Sequence, residues 1–281
     1  MKIKIIADSS SDIFELEEIE FQSAPLTIST DERNFVDDEN IDLDDMLTYL
    51  ANYHGRSFTA CPNAHDWLRA YEGADELYVV TITSALSGTY NSAMLAANLY
   101  LEQYPNAQIH VFDSHSTGPE MRLIIDKIAE LKATGKSFDE VLQEVTDYQQ
   151  HTRLFFMLES FKNLANNGRI SKAVAGIAGV LGIRILATAS LEGTIEPHSK
   201  SRGEKGALKK FIECMVEAGY SGGKVYISHC KNSEFAETLK SSIFALFPKA
   251  KVLIYETKGL CSYYVEKGGI ILGCECDKTY S

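Results

Sequence analysis

The chain has 281 residues, enough to bury a substantial core in one large domain or two of ordinary size. With 45% hydrophobic and 23% charged residues it reads as a folded protein, and no window approaches the roughly twenty apolar residues of a membrane span. A formal charge of −12 argues against binding to the nucleic-acid phosphate backbone.

Six cysteines, at 61, 214, 230, 261, 274 and 276, are too scattered for a disulfide framework and lack the paired spacing of a zinc site. Reduced structural thiols and no metal are therefore expected. The opening residues lack the apolar region and small-residue cleavage site of a secretory signal, which points to the cytoplasm.

Residues 2–7 alternate and then turn apolar, as the first strand of a parallel sheet does, and Asp8-Ser9-Ser10-Ser11-Asp12 follows as a polar loop. In open α/β sheets, ligands gather at this carboxyl edge. Residues 21–29 read as a second strand, 31–45 as an acidic stretch, and 43–53 as a helix. Residues 57–63 read as a loop, with Asn63 capping a helix over 64–71.

The β-branched run 79–83 suits a buried strand, and 91–100, rich in Ala and Leu, suits a helix. Between them Ser84, Ser87, Gly88 and Thr89 bring hydroxyls and backbone N–H groups to the positive end of the helix dipole, where a carboxylate or phosphate is favoured. The same residues are also ordinary helix caps. Residues 109–112 form another strand, followed by the polar loop Asp113-Ser114-His115-Ser116-Thr117, and helices follow over 120–133 and from Ser137, which makes a capping box with Glu140.

This βαβ alternation predicts a parallel, Rossmann-like sheet over residues 1–150, with polar loops at 8–11, 59, 84–89 and 113–117 along one edge. Residues 151–281 predict a second α/β domain with a mixed sheet. Its expected parts are a strand at 154–158, a short helix closed by Gly168, a hairpin from 184–189 to 194–199, and alternating helices and strands from 205 to 256.

Arg169 follows the helix-ending Gly168 and is placed either to close on an anion or to make a surface ion pair. The small-residue helix expected over 171–181 is apolar nearly all round and serves as core or as the wall of an apolar tunnel. Ser199-Lys200-Ser201-Arg202-Gly203, with Lys205, Lys209 and Lys210, is a basic cluster in an acidic chain: a solvated turn, or a docking patch for an acidic partner or membrane surface. A hydrolase or transferase using Ser87 is the competing reading, with His229 as its base, but the nucleophile elbow is incomplete and the nucleotide-binding glycine fingerprints are absent.

Taken in order, Ala7-Asp8-Ser9-Ser10-Ser11-Asp12, Thr59-Ala60-Cys61-Pro62, the segment from Ser84 to Ala93, Asp113-Ser114, Asn167-Gly168-Arg169-Ile170-Ser171 and Arg202-Gly203 resemble the DegV family of bacterial fatty-acid-binding proteins. The resemblance spans nearly the whole chain. It implies two α/β domains enclosing an acyl chain, no cofactor, no chemistry by the protein itself, and a partner fatty-acid kinase that phosphorylates the bound acid.

By the same resemblance, Thr59 and Ser87-Gly88-Thr89 match carboxylate-holding positions. Arg169 matches an arginine near the head group, and Arg202 matches a position of partner or membrane contact. Two departures stand out. Thr59-Ala60-Cys61-Pro62 lacks a hydroxyl of the usual motif, and Val265 stands where the family's carboxyl-terminal histidine is expected.

Overall fold

The computed structural model describes residues 2–17, 19–171 and 183–279. Apart from Ser171, the small-residue helix expected over 171–181 lies outside the described residues.

Strands β1 (Ile3–Asp8), β2 (Glu20–Ala24), β6 (Glu76–Thr81) and β7 (Gln108–Asp113) form a parallel sheet in the order β2-β1-β6-β7. Its strands are apolar on both faces because helices cover both. Along β6, Leu77 and Val79 face Trp67, Tyr71 and Ala93 of α2 (Ala64–Tyr71) and α3 (Thr89–Gln103). Tyr78 and Val80 face Met121, Ile124, Ile128 and Val141 of α4 (Gly118–Ala133) and α5 (Phe138–Gln150). The twofold alternation of a strand thus divides one apolar run between two cores. The expected caps form as well: Asn63 and Ser137 each make a capping box, with Asp66 and Glu140.

The expected second strand is in fact two. After β2, Pro25 has no N–H to give a ladder, and the chain leaves the sheet to start β3 (Thr27–Thr30). That strand belongs to a small antiparallel sheet, β4-β3-β5, with β4 (Asn34–Val36) and β5 (Ser57–Ala60). Residues 57–60, expected as loop, are therefore a strand, with Thr59 paired to Ile28. Helix α1 (Leu43–Asn52) crosses from β4 to β5.

The second sheet is six-stranded and mixed, in the order β10-β9-β8-β13-β11-β12. It comprises β8 (Thr152–Leu158), the hairpin β9 (Ile183–Ala189) and β10 (Ile195–Arg202), β11 (Lys224–His229), β12 (Lys251–Glu256) and β13 (Ile270–Glu275). Only β11 and β12 pair in parallel. Helices α7 (Gly203–Glu217) and α8 (Ser233–Leu246) cover one face, burying Phe211, Met215, Phe235 and Leu239 against Phe155, Met157, Ile227 and Leu272. The short helix α6 (Lys162–Asn166) follows β8, and α9 (Gly259–Val265) precedes β13.

The fold is thus α/β, with a parallel four-stranded sheet and a separate mixed sheet, as the sequence predicts. The two sheets share a helix: α4, covering the first, also packs on β13, β11 and β8 of the second. Gly273 permits this approach, since a Cβ there would stand 2.6 Å from the Glu120 backbone nitrogen. Among the described residues no helix is long and apolar enough to cross a membrane.

Candidate functional site

The face of the mixed sheet not covered by α7 and α8 turns toward the loops of the parallel sheet, and a cavity lies between them. Alternation along β8 aims Leu154, Phe156 and Leu158 into it, while Phe155 and Met157 point into the opposite core. Ile271 of β13, Ala189 and Ile195 of the hairpin, Leu164 of α6, and Leu260 and Val265 of α9 complete most of an apolar wall. Polar groups come mainly from the other side, where Thr59, Thr83, Ser87, His115, Ser116 and Thr117 line the space, and Arg169 joins them from beyond α6.

The predicted residues divide. Thr59, Ser87 and Arg169 line the cavity, whereas Ser84, Gly88, Thr89 and Arg202 are not among its lining residues. Ser84 is exposed and its N–H donates to the Asp113 carboxylate at 3.1 Å. Gly88 stands at the N-cap of α3, and Thr89 is fully buried with its hydroxyl 2.8 Å from Ser87 Oγ. Arg202 is exposed where β10 passes into α7.

Arg169 is fixed by its neighbours: Nε donates to the Leu86 carbonyl at 3.1 Å and Nη1 to the Asn167 carbonyl. Leu86 adjoins Ser87, so the guanidinium and the amino end of α3 are held together. The Ser9–Ser11 turn, by contrast, spends its polar groups internally. Asp8 accepts from the N–H groups of Ser10 and Ile82 at 3.0 and 2.7 Å, and Ser9 Oγ accepts from Leu26 N–H at 3.0 Å. That loop pins the strand ends and supplies no lining residue among those described.

Helix α9 carries three of the lining residues that the sequence reading missed: Leu260, Cys261 and Tyr264. Its amino end is anchored by two buried aspartate side chains from the first half of the chain. Asp37 accepts from Gly259 and Leu260 N–H at 2.7 and 2.9 Å, and Asp12 accepts from Lys258 N–H at 2.8 Å, satisfying donors a helix leaves open. Burial pushes Asp12 up to about 8 and Asp37 up to about 6. Tyr264 places its hydroxyl 2.7 Å from Thr59 Oγ1, while Val265, in the position matched to a histidine, adds only methyl groups to the wall.

The hydrolase reading finds little chemistry here. The hydroxyl partner of Ser87 is another hydroxyl, that of Thr89. His229 ends β11, is not among the described lining residues, and uses Nδ1 to accept from Asn232 N–H at 3.3 Å. Away from the cavity, His198, Cys214 and Glu217 bring potential ligand atoms within 4.8 Å of one another. Burial there pushes the Cys214 thiol up to about 11, so it stays protonated at neutral pH.

A family model described as "Uncharacterised protein, DegV family" matches residues 2–273. A DegV domain-containing protein of Streptococcus pneumoniae is 42% identical over 281 residues, covering 99% of this chain and all of that one. Among solved structures, the S. pneumoniae fatty acid kinase (Fak) B3 protein, loaded with linoleic acid, superposes with a TM-score of 0.97 at 42% identity, covering 99% of this chain and 100% of its own. A DegV family protein from Eubacterium eligens, loaded with heptadecanoic acid, gives a TM-score of 0.96 at 47% identity, covering 98% of this chain and 100% of its own. With a family match over nearly its full length and relatives this similar end to end, the chain belongs to the DegV family.

Proposed function

We propose that this protein binds one long-chain fatty acid between its halves and presents the carboxylate to a partner fatty-acid kinase. The observation that carries the reading is the asymmetry of the cavity: an apolar wall on the mixed sheet faces Thr59, Ser87 and Arg169. In this reading residues 1–150 hold the head group through Thr59 and Ser87, the latter backed by Thr89, and residues 151–281 cover the acyl chain.

Energetics favour a lipid over a small anion. Burying about fifteen methylenes at roughly 0.8 kcal/mol each supplies on the order of 12 kcal/mol before ordering costs. The polar contacts then need only select and orient. A free phosphate has no such reservoir.

The chain holds its ligand, and phosphoryl transfer belongs to the kinase, acting where the protein works in the cytoplasm. Arg202, exposed among Lys200, Lys205 and Lys209, is the docking point for an acidic face of that partner or for passing contact with an anionic membrane surface. Support for the partner comes from the S. pneumoniae neighbour, which is described as part of a fatty acid kinase.

Mass spectrometry of the denatured, extracted protein tests the reading. One acyl acid per chain is expected. Absence of stoichiometric acyl lipid, together with no uptake of added fatty acid, would overturn it.

A further inference from the structure

We infer that Tyr264 is a head-group donor acting as a pair with Thr59, and that this pair sets the preference for a free acid over its ester. The inference rests on the fatty-acid reading above and adds to it a residue and a selectivity. Thr59 Oγ1 and Tyr264 OH lie 2.7 Å apart, and both residues line the cavity. Two hydroxyls own two hydrogens, and their mutual bond uses one. Whichever group donates, the other keeps an O–H to place elsewhere, and among the described residues no second partner is found for either hydroxyl. A carboxylate is the acceptor that suits this hydrogen, because the bond becomes charge-assisted.

The surroundings hold the pair in position. β5 sends Ser57 and Thr59 to the same side, two residues apart. The consecutive tyrosines of α9 meet them in register, Tyr263 OH at 2.8 Å from Ser57 Oγ and Tyr264 OH at Thr59. Tyr263 OH also accepts from Asn167 Nδ2 at 2.9 Å, and Asn167 holds the Arg169 guanidinium through its carbonyl. The two rings pack edge to face with centroids 4.9 Å apart. A structural layer of Ser57, Tyr263 and Asn167 thus backs a cavity-facing layer of Thr59, Tyr264 and Arg169. Burial raises the Tyr264 phenol above its usual range, which keeps it a protonated donor, and the nearby Arg169 charge opposes that rise. The Val265 side chain offers no donor, whereas Tyr264 before it does.

The test compares delipidated wild-type protein with Tyr264→Phe and Thr59→Ala for binding palmitic acid and methyl palmitate, with thermal melts to establish folding. Tyr264→Phe should weaken the acid by about tenfold or more, the loss of one bond to a charged group, and change the ester by less than about twofold. In a Thr59→Ala background the same change should cost markedly less, because the pair acts as a unit. Equal weakening of acid and ester would assign Tyr264 a packing role and overturn the inference. So would unchanged acid binding. A wild-type protein that takes up neither compound would instead overturn the fatty-acid reading itself, and this inference with it.

Discussion

The two sides of the cavity are built by different kinds of sheet, and the difference explains how a ligand would be oriented. A parallel sheet offers its carboxyl ends, where loops carry hydroxyls, and from there come Thr83, Ser87, Ser116 and Thr117. The antiparallel portion of the mixed sheet offers a face, and from it come Leu154, Phe156, Leu158 and Ile271. An amphipathic acid therefore meets a polar rim on one side and a greasy wall on the other. The sides are locked together by α4, which packs on both sheets, and by α9, whose amino end is held by Asp12 and Asp37.

The largest effect should come from placing charge on the greasy wall. Phe156→Asp should lower fatty-acid affinity by about 100-fold or more in a titration, since an unpaired buried carboxylate costs several kcal/mol. Next is the hairpin tip that seats on the polar rim. Gly193 has φ +79°, and a Cβ there would lie 2.9 Å from the His115 carbonyl oxygen. Gly193→Val should destabilise the fold by about 2 kcal/mol or more in denaturant titration.

A smaller effect separates the anchor of α9 from the rim. Asp12 has a folded-state pKa raised from 3.8 to about 8, so the stability it contributes is complete below pH 3.8 and lost as pH rises toward 8. Asp37, raised to about 6, and Asp8, also raised to about 6, act in the same direction over a narrower window. Asp12→Asn should flatten the fall in stability between pH 4 and pH 8 while keeping an acceptor for Lys258 N–H, as read by melting temperature across that range. Smallest is Arg202→Glu, which should leave fatty-acid affinity within about twofold, because an exposed side chain outside the lining contributes little. Its cost should appear as slower phosphorylation of bound acid by the kinase.

Legibility in the sequence followed how locally each feature is determined. The runs at β1, β6 and β7, the capping boxes at Asn63 and Ser137, and the turn at Gly193 are set by neighbouring residues, and the chain displays them directly. The small antiparallel sheet was hidden because β5 has a hydroxyl-rich sequence and an exposed Phe58, and becomes a strand only through pairing with β3. β13 was missed although it is central: its partners β8 and β11 are remote in sequence, and Gly273 interrupts its apolar run. Helix α9, at seven residues, is too short to show a helical period. That is why Thr59, Ser87 and Arg169 could be named from motifs, while Tyr264, which bonds to one of them across 205 positions, could not.

The most direct test of the central claim is photo-crosslinking of the delipidated protein with a long-chain fatty acid carrying a diazirine at its methyl end, followed by peptide mapping. The account predicts adducts on the apolar wall, in peptides containing Leu154, Phe156 or Leu158 or in other wall segments of residues 151–281, with competition by unlabelled palmitic acid. Adducts concentrated on the rim around Thr83, Ser87 or His115, or scattered over the surface and indifferent to competitor, would contradict it.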